Sequence, residues 1–200
     1  FYLILENYIW SSKQIIAAAS HRKVCLYHPF NGFTRALDVT DRVCIAFTNS
    51  GDYLAMAYRK SRRSIHQHDL FVFHIDHETL FDSESLETEK VKTATDQDIT
   101  ALCYTRNDDF LMCGTNSGKI VILECSMSEK LQPNQVHKWT FVKTLSSTYQ
   151  SNEICRVSFS AKFRYMATLD TRGSLVIWNG TSWTLLFGLQ RESTNMYKHI

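Results

Sequence analysis

One interval recurs along the chain and limits what it can become. An aromatic residue, a polar turn and a second aromatic followed by aliphatic or small residues stand at Phe47 to Ala55, where Tyr53, Leu54 and Ala55 close the formula. It returns from Tyr104 to Phe110, Leu111 and Met112, and from Phe159 to Tyr165, Met166 and Ala167. In all three the second ring follows the first after six residues. Two β-prone runs separated by a short polar turn read as a hairpin, and the fixed interval makes it a repeated one.

A third strand follows each hairpin. Val24–Tyr27, Leu70–Phe73, Ile120–Leu123 and Leu175–Trp178 are short apolar runs, each preceded by a turn. Uninterrupted apolarity over so few residues predicts strands covered on both faces. Their last residues stand 46, 50 and 55 apart, and a period of about 40–55 residues with three or four strands per unit predicts a propeller. From first ring to the end of the third strand is 19 residues in the last two units, and counting back 19 from Tyr27 reaches Tyr8. The second unit is seven residues longer, which predicts an insertion between its second and third strands. Fourth strands are expected at Phe33–Leu37, Trp139–Thr144 and Trp183–Phe187, whose alternation suits a half-exposed outer strand. The second unit gives no fourth strand by inspection. The expected fold is all-β: a partial propeller of about four blades, at about 1–38, 41–94, 97–145 and 152–187, with a further blade starting over 188–200.

Composition fits a globular sheet protein. Of the 200 residues 44% are hydrophobic, and two prolines with seven glycines exclude a low-complexity linker. A net charge of +2 is too mild to imply nucleic acid or membrane. No apolar run approaches the roughly 20 residues of a membrane span, and Phe1–Leu5 lacks the flanks of a signal peptide. The six cysteines (25, 44, 103, 113, 125 and 155) form no Cys-x-x-Cys pair and mostly sit in apolar runs. They are expected as reduced, buried thiols, which favours a cytoplasmic or nuclear setting.

Phe47–Ala55 and the tryptophan-ended run Ser174–Asn179 give the chain its likeness to known proteins: it resembles the WD40-repeat family, as four degenerate units over nearly its whole length. The family's Gly-His is missing, since Asp38, Thr95 and Gln150 stand nine residues ahead of Phe47, Tyr104 and Phe159. Its turn aspartate is replaced by His21, Ser117 and Arg172, and Thr115 alone occupies the place of its strand hydroxyl. On this reading the hydrogen-bonded tetrad that braces such blades is absent and packing holds them together. The resemblance also implies a ring of six to eight blades, so the chain, which opens on Phe1, is expected to be part of a longer one.

The strongest candidate contact is the insertion, where Arg59, Lys60, Arg62 and Arg63 crowd four cations into five residues. Forked guanidinium bonds suit a phosphate or an acidic peptide. The same charges suit a solvated hairpin tip, or nucleic acid and lipid headgroups. In propellers of the resembled kind such tips lie on the face that carries the connections between blades. His66, His68, His74 and His77 look like a metal set, but the strands separate them, and exposed histidines are expected instead, with no metal and no cofactor. The acidic stretch from Asp76 to Glu89 is expected as a connection on the opposite face, with Ser83 and Ser85 open to modification. Residues 127–134 read as another loop, and Trp139, Trp178 and Trp183 as blade packing. No nucleophile elbow, phosphate loop or His-Glu-x-x-His occurs. The expectation is a non-catalytic scaffold for protein partners carrying acidic or phosphorylated segments, without a small-molecule substrate. Nucleic acid or an anionic headgroup is the alternative.

Overall fold

In the computed structural model the described residues are 7–20, 23–39, 43–58, 69–75, 80–81, 88–93, 95, 97–126, 138–160, 162 and 164–190. They form sixteen strands in four separate antiparallel sheets, each meandering in chain order. The first blade holds β1 (Asn7–Trp10), β2 (Ile16–Ala19), β3 (Lys23–Tyr27) and β4 (Thr34–Asp38). The second holds β5 (Cys44–Phe47), β6 (Tyr53–Tyr58), β7 (Asp69–His74) and β8 (Thr88–Val91). The third holds β9 (Ile99–Tyr104), β10 (Phe110–Thr115), β11 (Ile120–Ser126) and β12 (Lys138–Leu145). The fourth holds β13 (Ile154–Ser160), β14 (Tyr165–Asp170), β15 (Leu175–Asn179) and β16 (Leu185–Leu189). Inner strands β1, β5, β9 and β13 touch in succession, so the sheets stack face to face around a common side. This is the propeller arrangement that the repeat predicts. It also supplies the missing strand, β8, which closes its sheet by pairing Leu70 with Val91.

Three apolar cores lie between the blades, not within any one sheet. The first sets Ala17, Ala19, Val24 and Leu26 against Met56, Phe71 and Phe73. In the second, Ala46, Ala55 and Ala57 make room for Tyr104, Leu111 and Leu123. In the third, Met112, Ile120 and Ile122 meet Met166, Val176 and Trp178. Small residues on one sheet opposite large ones on the next let the pleated faces approach without voids. Gly114 shows how close: a Cβ there would stand 2.6 Å from Ile154 Cγ2 of the fourth blade.

Several expectations need correction. β7 and β11 are buried on both faces, but β3 and β15 alternate between buried and more exposed residues. The reason is position: their blades end the stack and have one neighbour each. The fourth strand of the last blade begins at Leu185, because Trp183 sits in the preceding turn at φ 56°. There it is buried and meets Phe110 of the third blade edge-on at 5.5 Å. Trp178 and Trp183 are core residues, as expected, and Trp139 packs partly buried between the second and third blades. All six cysteines are free. Cys44, Cys113 and Cys125 are buried, while Cys155 is exposed because it faces away from the stack.

Candidate interaction surface

The ends of the strands define two rims, and side chains fix the loops on each. On the rim of the first-to-second-strand turns the hairpin formula has a physical cause. Ser11, Thr48 and Thr105 open three turns, and their hydroxyls accept from the backbone N–H of Ile15, Tyr53 and Phe110 at 3.0, 3.0 and 3.1 Å. Each turn carries a left-handed residue, namely Gln14, Gly51 and Asp108 with φ 66°, 82° and 62°. Gly51 meets a second demand, since a Cβ there would lie 2.8 Å from Ser12 Oγ of the neighbouring turn.

These turns are tied to one another. Ser12 Oγ donates to the Ser50 carbonyl at 2.7 Å, and Lys13 pairs with Asp52. Burial pushes the Asp52 carboxyl up, but bonds from Lys13 and Ser50 and the charges of Lys13 and His74 outweigh it and hold the group below its ordinary range. Buried Asp108 reaches from the third blade to the second. Its Oδ1 accepts from Asn49 N at 2.7 Å and Asn49 Nδ2 at 2.9 Å, and its Oδ2 from Ser50 N at 3.0 Å. Asn49 Nδ2 also donates to the Thr105 carbonyl at 2.7 Å.

The opposite rim holds a network that the sequence reading excludes. In the fourth blade Trp178 Nε1 donates to Thr168 Oγ1 at 3.1 Å, and Thr168 Oγ1 donates to Gln150 Oε1 at 2.8 Å. Gln150 Nε2 donates to the carbonyls of Thr168 and Ser174, each at 2.8 Å. Asp170 Oδ1 accepts from Arg172 N and Ser174 N at 2.9 and 2.8 Å. Trp178, Thr168 and Gln150 are therefore bonded in series, and Asp170 separately closes the adjoining turn. A glutamine carboxamide, which both donates and accepts, replaces the expected histidine. The hydroxyl is Thr168 on the strand, two residues before the position matching Thr115, and the aspartate ends the strand. In the third blade the hydroxyl of Ser117 donates to Gln97 and lies 3.3 Å from Thr115 Oγ1.

Arg59, Lys60, Arg62 and Arg63 lie outside the described residues, as do His66, His68, His77, Ser83, Ser85, residues 127–134 and most of the acidic stretch. Their flanks are described. Tyr58 and Asp69 are register partners at the end of the second blade. The Tyr58 ring stacks on Phe71 at 5.0 Å. Burial first, and the Asp69 charge second, raise the Tyr58 hydroxyl pKa. Lys90 reaches Asp69 at 2.7 Å. His74 is exposed at the other end of β7, with its ring 5.2 Å from that of Tyr53. Among the described residues no three His, Cys, Asp or Glu side chains converge on a common point. Two polar atoms buried between the second and third blades, Tyr104 Oη and Trp139 Nε1, have no hydrogen-bond partner. The Tyr104 pKa is raised well above the ordinary range, by burial above all.

Comparison with solved structures adds to this geometry. A chain from a crystal structure of a mitotic checkpoint complex superposes with a TM-score of 0.65 at 17% identity, over 96% of this chain and 53% of that one. The β-propeller domain of Myceliophteria thermophila Cps50 (Swd1) gives 0.61 at 18% identity, over 89% of this chain and 56% of that one. The fold is a WD40-like β-propeller. No protein-family model and no curated protein matches the chain. The four WD40-like blades span little more than half of each matched chain.

Proposed function

We propose that this chain is a rigid, non-catalytic platform for protein partners in a larger assembly. Its contact for an acidic or phosphorylated partner is the segment carrying Arg59, Lys60, Arg62 and Arg63. The observation that supports this most is the Tyr58–Asp69 pair, which ties both ends of the charged segment to the end of one blade. Stacked sheets with interlocked turns resist deformation, so the blade holds Tyr58 and Asp69, between which the segment runs, at fixed points. One similar structure comes from a crystallised mitotic checkpoint complex, a multiprotein setting. A cluster of guanidinium groups then recognises carboxylates or phosphates through paired, charge-assisted bonds.

Reversing the four charges, R59E/K60E/R62E/R63E, leaves the circular dichroism spectrum unchanged and abolishes binding to an immobilised phosphoserine- and glutamate-rich peptide. Undiminished binding by the reversed variant defeats the reading. If oligonucleotide or anionic vesicles displace the peptide at lower concentration than the free peptide does, the site passes to the nucleic-acid or lipid alternative.

A further inference from the structure

The outer strand of the fourth blade differs from the other three. An outer strand has one neighbour, and the N–H and C=O groups of its free edge are a template for another strand. On the first three blades exposed charges guard that edge: Asp38 on β4, Lys90 on β8 and Lys143 on β12. None stands on β16, and no charged residue occurs between Gly173 and Gln190. Leu185, Leu186, Phe187 and Leu189 are 40–54% exposed. Among the described residues only β15 pairs with the strand. Register fixes its faces. Gly188 stands opposite buried Val176, on the side of the third blade, where a Cβ would lie 2.2 Å from Tyr149 Cδ2. Phe187 and Leu189 stand opposite Ile177 and Leu175, on the other side. A further blade stacked there would cover those two side chains and still leave the edge of the strand, so ring closure does not satisfy it.

Backbone and charge together select the occupant. Only an extended chain matches a row of alternating donors and acceptors. Pairing with an identical strand sets a sequence against its own reverse, so any charge near the axis meets its like. The uncharged β16 carries no such penalty. An antiparallel pair centred on Gly188 sets Phe187 of each copy against Leu189 of the other, and these two side chains share one face of the sheet. The result is an aromatic–aliphatic cross-strand contact, made twice. A twofold pairing also closes on itself and stops at two copies. We propose that β16 pairs with the β16 of a second copy of this chain about a twofold axis at Gly188, joining two four-stranded blades edge to edge. The seam is short, so the dimer is a weak one that forms with rising concentration.

Sedimentation velocity over a concentration series tests this. The parent chain passes from monomer to dimer. Phe187→Lys, at an exposed side chain, keeps the circular dichroism spectrum and raises the dimer dissociation constant about tenfold, because the lost contact and the added charge both count twice. A short bismaleimide cross-linker then locates the seam in a C155S background, which removes the exposed thiol. F187C is joined to its copy, and Y165C is not. Tyr165 lies on β14, so edge pairing holds its two copies five strand spacings apart, about 24 Å. Stacking through the open face of the fourth blade would instead bring them together. A monomer at every concentration overturns the proposal, as does a dimer undiminished in F187K, or cross-linking at Y165C in place of F187C.

Discussion

Asp108 does more than any other described side chain to join two blades. Its carboxylate lies buried in the turn of the second blade and accepts from Asn49 N, Asn49 Nδ2 and Ser50 N. Asp108→Ala removes the acceptor and leaves Asn49 N and Ser50 N without their protein partner, while Asn49 Nδ2 keeps the Thr105 carbonyl, a loss of about 1–2 kcal/mol. A urea midpoint shift of that size checks it, and an unchanged midpoint refutes it. In the sequence Asp108 was visible only as one polar letter of a turn. A bond to Asn49, 59 residues away, has no local signature. Gln150 was similarly hidden: reading for histidine passed over a carboxamide able to take its place.

At the scale of the element, strands were the most legible feature, because alternation and β-branched runs report local burial directly. Ring spacing gave the hairpins, since the hydroxyl of Thr48 or Thr105 bonds the N–H at the start of the next strand. Strand β8 was missed because Thr88–Val91 is polar apart from one valine, and its membership depends on the pairing with β7. On β9, burial pushes the Cys103 thiol up to about 11, opposed by a backbone bond at Phe159. An unfolded thiol titrates near about 8.5, so the fold favours the protonated form. That contribution is complete below the unfolded value and is lost as pH rises through the folded one. Stability therefore falls between about pH 9 and 11. Cys103→Ala flattens that slope in denaturant titrations; an unaltered slope removes the assignment.

For the molecule as a whole, the period foretold separate stacked sheets, and the positions of the end blades decide what the sequence could not. Tyr165, Phe187 and Leu189 of the fourth blade are 46%, 53% and 54% exposed, and Tyr8 and Trp10 of the first are 67% and 60%. Their strands read like those of the middle blades, so composition alone could not tell a covered face from an open one. Such patches attract apolar dyes. The folded chain binds anilinonaphthalene sulfonate, and F187K/L189K lowers the fluorescence while the β signal in circular dichroism is kept. Equal fluorescence in the variant shows that the dye sits elsewhere. The candidate contact was legible only as charge, since a run of cations announces its chemistry but not its partner.

The bonded turns of the first three blades have a bearing on where the chain tolerates new length. A turn whose backbone is held by its neighbour's side chains, as Asn49 and Ser50 are by Asp108, cannot lengthen without tearing that stitch. Extra residues fall in other connections instead. The second blade's added seven fall between Tyr58 and Asp69, at the opposite rim. The first-to-second-strand turns thus keep their length, while added residues enter through other connections, between Tyr58 and Asp69, after His74 and after Ser126.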